Sequence, residues 1–547
     1  MPAELDAGPE ARPGPDGPAR APGHDPRART WTLVLACVAM FMLMLDVTVV
    51  NVALPSLRGS LGARFSDLQW VIDSYTLTLA AFLLTGGTLA DRLGRKRVFQ
   101  AGLLLFTLAS LAAGLAPDLA VLNAARAVQG AGAAVLFSVG PALIGQEFHG
   151  ADRGKAFGLF GGVAGLALAL GPLAGGLLVD GLGWRWIFLL NVPLGLAALV
   201  LGGRRLRESR APGSHGIDWA GTVSFALGLT LIVLGFLRGE PAGWTSPGIL
   251  AAFAGGTALL VVFVLVERAA GPRAMFDLSL LRIPTFAGVC VATLLSNATS
   301  LAAVFLQIAY VQNVLGFTAW ETGLRFMPMM ITLFLVAAVT GGLLTAVPPG
   351  VLIGSSIALI AAGMGLVTLV EPGSAWTAML PSMIVTGVGM GLFNPPRAAV
   401  TIGVAAPDRA GMTSGMGETF QQVGVAVGIA GFGALFHHRV LDAFHSSGAA
   451  AALGPAAAEE TGSAVATGGV TALPADLPPA LLDEVTAAAR TAFVDALSEV
   501  MVVCAVVAAL GAVIGIVLIR RRDLHASAQT AAEVPAAQGV RPAGAEG

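Results

Sequence analysis

Residues 31–54 read WTLVLACVAMFMLMLDVTVVNVAL, an apolar run long enough to cross a bilayer as a helix, with Asp46 as its one ionisable group. A carboxylate at mid-bilayer depth costs roughly 2.5–3.5 kcal/mol on insertion scales. An acid kept at that cost marks a functional site by default, and the surrounding sequence has to say what the acid is for.

The composition agrees with a membrane setting. Of 547 residues, 55% are hydrophobic and 12% charged, against about 25% charged in soluble domains, and the mean hydropathy is +0.79. This predicts an all-α polytopic membrane protein. The net charge of −2 carries no nucleic-acid footprint. Cys37, Cys290 and Cys504 lie in apolar segments without metal-ligand spacing, so they read as small packing residues. Residues 1–30 are rich in Pro, Gly and Arg, which predicts a disordered tail.

Counting runs of about 20 apolar residues predicts fourteen spans, at 31–54, 69–90, 98–116, 120–146, 156–179, 184–202, 217–237, 247–267, 285–311, 321–345, 350–370, 375–401, 412–436 and 492–519. Basic clusters follow the even-numbered spans: Arg92 and Arg95–Arg97, Arg153 and Lys155, Arg204–Arg210, Arg268–Arg282 and Arg520–Arg522. By the positive-inside rule those loops and both tails are cytoplasmic. The long segment 438–490 then faces outward as a flexible or partly helical loop.

A faint repeat divides the chain. GAGAAVLFSVGPALIGQEFHGADRGKAFG, from Gly130, is echoed by GVGMGLFNPPRAAVTIGVAAPDRAGMTSG, from Gly387, with Asp152–Arg153 matching Asp408–Arg409. Two six-helix bundles, 31–203 and 285–519, flanking two inserted helices within 204–284, account for the spacing, with 520–547 as a second cytoplasmic tail. Transporters built from repeats place substrate near the midplane between the halves.

Four motifs carry chemistry. LDVTVVNVALP (45–55) holds Asp46, Thr48 and Asn51, with Asp46, Val49, Val50 and Ala53 on one helical face. GTLADRLGRKRVF (87–99) combines Gly87, which permits close helix approach, and Asp91, suited to a helix N-terminus or a loop arginine. Gly94 turns the chain there, and the cationic run of Arg95, Lys96 and Arg97 suits an anionic leaflet. Its counterpart in the second half, GGLLTAVPPGVLIG, has no charge. LNAARAVQGAGAA (122–134) buries Arg126, which needs a partner or must snorkel to the interface. ALALGPLAGG (167–176) breaks the helical hydrogen-bond ladder at Gly171-Pro172 and allows tight packing at Gly175-Gly176.

With these motifs the chain resembles the major facilitator superfamily, and within it the 14-helix drug:proton antiporters of the EmrB/QacA type. The resemblance implies the major facilitator fold and a proton-coupled antiporter in the cell membrane of a bacterium, matching a GC-rich codon bias. It would export small amphipathic drugs or antibiotics as a monomer, without a cofactor other than the proton gradient. It implies proton coupling at Asp46 and Arg126, with an ion pair of purely structural use as the other reading of Arg126. It further implies a conformational latch at Gly87–Arg97 and an antiporter signature at Gly171, Pro172, Gly175 and Gly176. Asp73, Asn51, Glu418 and Gln422 are candidate cavity residues. An acid at Glu418 departs from the amide usual in the family, and Arg397 is its candidate partner. The alternative reading is an importer or uniporter of a small metabolite on the same fold. An ATP-driven pump or enzyme finds no support, since GADRGKA (150–156) has neither the spacing nor the hydroxyl of a phosphate-binding loop.

Overall fold

The computed structural model describes residues 26–61, 65–148, 150–209, 218–270, 274, 276–406, 409–468, 470 and 479–525. Among these residues no strand occurs, and the helices run in chain order. In the first half they are α1 (Pro26–Leu61), α2 (Phe65–Leu93), α3 (Arg95–Gly114), α4 (Leu119–Glu147), α5 (Gly150–Leu182), α6 (Arg185–Leu189) and α7 (Asn191–Arg205). Then come α8 (Trp219–Ala242) and α9 (Pro247–Ala270). The second half comprises α10 (Pro284–Ala309), α11 (Ala319–Ala346), α12 (Pro349–Val367), α13 (Leu380–Gly403), α14 (Ala410–His445), α15 (Gly448–Leu453), α16 (Pro455–Gly468) and α17 (Pro479–Leu518).

Helix ends follow the local sequence. Asp118 caps α4 through the Val121 N–H at 2.9 Å, and Thr318 and Glu321 form a reciprocal capping box on α11. Gly94, at φ +112°, makes the break between α2 and α3. Twelve stretches among the described residues are long and apolar enough to cross a membrane. The spans expected at 69–90 and 156–179 fall in α2 and α5, whose 29 and 33 residues would extend about 44 and 50 Å.

Two boundaries differ from the sequence reading, and a third segment takes one of its two alternatives. The first helix starts at Pro26, so residues 26–30 are helical rather than tail, because the apolar pattern that follows propagates the helix backward. The span at 184–202 is two helices meeting at Leu190, next to Pro193. Much of 438–490 is helical: α14 runs to His445, α15 and α16 are Ala-rich, and α17 begins at Pro479. Alanine is the strongest helix former, and Ala449, Ala450, Ala458 and Val465 turn a small apolar face into the core. Residues 1–25, 471–478, 526–547 and Asp408 lie outside the described set, as do the side chains of Asn51 and Pro172.

In the first half α4 packs against α2 and α3, and α1 against α5; in the second, α12 packs on α13 and α17, and α10 on α14. The halves meet along α2–α14 and α5–α11, while α8 touches both α2 and α14. On α17, Val502, Val506, Leu510, Val513 and Val517 are each at least half exposed. Such a stripe is what a lipid solvent requires of a helix.

Candidate functional site

Asp46 is buried in α1 and held from two other helices, α4 and α7. Arg126 Nη1 of α4 donates to its Oδ2 at 2.5 Å. Gln129 Nε2 donates to its Oδ1 at 2.9 Å and Asn191 Nδ2, from α7, at 3.4 Å. Gln129 and Asn191 both also donate to Ser110 Oγ at 3.1 Å, and Ser110 donates to the Phe188 carbonyl at 3.0 Å. Arg126 has further acceptors in Gln129 Oε1 (2.8 Å) and the Val71 carbonyl (3.0 Å), and its guanidinium lies 4.2 Å from the Tyr75 ring centroid.

Every polar member of this cluster is at most 3% exposed. Its charges cancel, and the surrounding hydrogen bonds meet the condition that makes a buried pair tolerable. Arg126 is therefore an ion-pair partner and not a snorkelling surface arginine. The expected face of α1 is also found, since Val49, Val50 and Ala53 are buried beside Asp46.

The motif at 87–99 forms a contact between the halves. Met412 N–H donates to Asp91 Oδ2 at 2.8 Å and Gly411 N–H to Oδ1 at 3.0 Å, so Asp91 sits on the N-terminus of α14. Arg95 donates to the same carboxylate from Nε (3.0 Å) and Nη2 (2.8 Å). Asp91 thus meets both partners the sequence offered as alternatives. A Cβ on Gly87 would overlap the Gly411 carbonyl, which explains the glycine.

The cationic run also makes specific contacts. Arg95 is buried under Asp91, Lys96 Nζ donates to the Gly203 carbonyl at 2.8 Å, and Arg97 pairs with Glu208 at 3.5 Å. Arg92 Nη2 donates to the Ala274 carbonyl at 3.0 Å.

The halves also touch at this basic end through Arg153 Nη2, which donates to the Ala399 carbonyl at 3.4 Å, and through Gly158 of α5 against the Ala337 carbonyl of α11. In the α5 motif, Gly171 faces Thr48 so closely that a Cβ would overlap the threonine hydroxyl. Gly175 is buried, but nothing lies within 4 Å of where a Cβ on Gly176 would stand. The tight packing expected there rests on Gly171 and does not extend to Gly176.

Two further acids expected near the cavity are paired. Asp73 of α2 lies 3.1 Å from Arg238 of α8, and the Arg238 guanidinium stacks 4.3 Å from the Trp70 centroid. Glu418 of α14 accepts from Arg397 Nη2 of α13 at 3.1 Å, both being buried. Gln422 is half-buried one turn beyond Glu418. Asp46, Asp73 and Glu418 do not converge: each is neutralised by an arginine from a different neighbouring helix.

Sequence reasoning missed Gln129, Asn191 and Ser110. Gln129 stands at i+3 from Arg126, the spacing at which helix side chains meet; the other two are lone polar residues in apolar runs. Among the described residues, no group of three or more metal-ligating side chains occurs.

The family model for the Major Facilitator Superfamily matches residues 36–429. A puromycin resistance protein of Streptomyces alboniger is 38% identical over 75% of this chain and 82% of its own length. A cephamycin export protein of Amycolatopsis lactamdurans is 38% identical over 73% and 84%. Among solved structures, the human organic anion transporter MFSD10 aligns with a TM-score of 0.55 at 13% identity, covering 88% of this chain and all of that one. The proton:xylose symporter XylE aligns at 0.52 and 13%, covering 74% and 88%. The chain is a multi-span member of the Major Facilitator Superfamily of transporters.

Proposed function

We propose that this chain is a proton-coupled antiporter exporting small amphipathic drugs or antibiotics across the cell membrane, as a monomer of fourteen spans with both termini in the cytoplasm. The observation that carries the reading is the buried Asp46–Arg126 pair at 2.5 Å. A proton on Asp46 would remove the charge that Arg126 answers. Arg126 would keep its bonds to Gln129 and the Val71 carbonyl, so α1 and α4 would be free to shift relative to one another. Relatives named for puromycin resistance and cephamycin export support the direction and the substrate class.

The latch gives the cycle a second position. Asp91 on the α14 N-terminus and the Gly87–Gly411 contact hold the basic end closed. Opening that end requires both to separate, and protonation and substrate would bias the two access states in opposite directions. The driving force suffices. One charge crossing 100 mV supplies about 2.3 kcal/mol, and a tenfold proton gradient adds about 1.4 kcal/mol.

The test is a drug-susceptibility panel in an efflux-deficient bacterial host, combined with inverted vesicles. Wild type should confer resistance and accumulate drug when vesicles are energised. Asp46→Asn, at equal expression, should lose both. Accumulation against a gradient by Asp46→Asn would exclude Asp46 as the coupling residue. Uptake insensitive to an uncoupler would favour a uniporter.

A further inference from the structure

The second half carries a buried polar cluster that the Asp46 site does not use. Arg397 Nη2 and Glu418 Oε1 are 3.1 Å apart, but Arg397 Nε and Glu418 Oε2 have no hydrogen-bond partner among the described residues. Ser414 Oγ and Gln421 Oε1, at i−4 and i+3 from Glu418 on α14, are also buried atoms without one. Glu418 and Ser414 are each 3% exposed. An unmet buried donor or acceptor is costly, and these four stand together on the neighbouring helices α13 and α14.

The cluster has a direction. Gly411 and Gly415 on α14 face α2 of the first half, where added Cβ atoms would run into Gly87 and Leu83. Glu418 follows Gly411 and Gly415 at i+7 and i+3, and so continues the same stripe. It stands about 12 Å along α14 from Ala410. The pair therefore borders the seam between the halves, beyond the end that the latch closes.

We infer that Arg397, Glu418, Ser414 and Gln421 form a substrate subsite for the uncharged, hydrogen-bond-donating part of an amphipathic molecule: a hydroxyl, phenol or amide N–H. Glu418 Oε2 and Gln421 Oε1 supply acceptors, and Ser414 Oγ and Arg397 Nε can donate to a carbonyl on the same molecule. Arg397 cancels the charge of Glu418, so the subsite has no net field for a permanent ion. Removing either partner would create one. This assignment rests on the export reading for its ligand, but equilibrium binding without any gradient tests it separately from proton coupling.

The experiment measures binding to purified protein in nanodiscs with three amphipathic probes. These are tetraphenylphosphonium, a cation lacking N–H and O–H; anilinonaphthalene sulfonate, an anion; and chloramphenicol, an uncharged amide diol. Wild type should bind chloramphenicol at least about tenfold more tightly than either ion. R397Q should gain about tenfold for the cation, and E418Q about tenfold for the anion. The double variant, neutral again, should lose both gains. Asp46→Asn should show the wild-type order of preference, whatever its effect on transport. Thermal melts of each variant report folding. A wild type that fails to bind chloramphenicol or prefers an ion would overturn the assignment. So would single variants that lower the melting temperature without exchanging ion preference, which is the result a purely structural ion pair gives.

Discussion

At the residue scale, what distinguishes Asp46 is how completely its carboxylate is bonded. Arg126, Gln129 and Asn191 fill its acceptor sites, and Ser110 ties the two amides together. Removing one member leaves a buried charge or amide stranded, so the members should act as a unit. Arg126→Lys keeps the charge but loses the planar fork that reaches Asp46, Gln129 and Val71 at once. We expect Arg126→Lys to lose at least about tenfold in energised vesicle transport while still folding. Asn191→Ala, whose bond to Asp46 is long at 3.4 Å, should lose less. Initial transport rates at equal protein check the order. Asp46 and Arg126 were legible in the sequence because ionisable groups in apolar runs are conspicuous. The amides were not, since a neutral polar residue in a membrane helix carries no such cost and its partner lies up to 145 positions away.

At the element scale, the glycines of α2, α5 and α14 set which helices touch. Gly171 receives Thr48 of α1, whose hydroxyl is turned back to the carbonyls of Met44 and Leu45. Gly171→Leu should separate α1 from α5 and lower the melting temperature or folded yield. Gly176→Ala, with open space around it, should do neither, and fluorescence-detected size-exclusion chromatography distinguishes the two. Gly87→Val should push α2 from α14 and open the basic end, read as faster labelling of a cysteine placed at Ala410. The spans themselves were legible from their length and apolarity. The break at Leu190 was not, because it depends on packing beside Pro193, and the helices within 438–490 were legible only as one of two alternatives.

At the scale of the whole molecule, the inserted helices are connected at both of their links to the contact that the 87–99 motif makes with α14. Glu208 accepts from the Lys96 N–H at 3.1 Å and pairs with Arg97, and the Ser209 carbonyl accepts from the Arg95 N–H at 2.8 Å. After α9, Asp277 pairs at 2.6 Å with Arg409, the residue that precedes α14, while Arg92 reaches Ala274. Arg238 of α8 adds the contact to Asp73. Sequence showed two extra spans between repeats but not this attachment, which joins residues more than 100 positions apart. The Asp277–Arg409 pair is part-exposed, so a double-mutant cycle in thermal unfolding should give it no more than about 1 kcal/mol. A coupling well above that would contradict the reading of this pair as a solvent-screened surface contact.

Proton exchange at Asp46 is most directly tested by reconstituting the purified protein in liposomes loaded with a pH-sensitive dye, with puromycin as the first trial drug and a panel behind it. A drug gradient imposed on wild type should drive an opposing proton flux that acidifies or alkalises the lumen according to the gradient's direction, and Asp46→Asn should bind drug yet move no protons. Drug-dependent proton flux through Asp46→Asn at the wild-type rate, or drug movement through wild type without any proton flux, would contradict it.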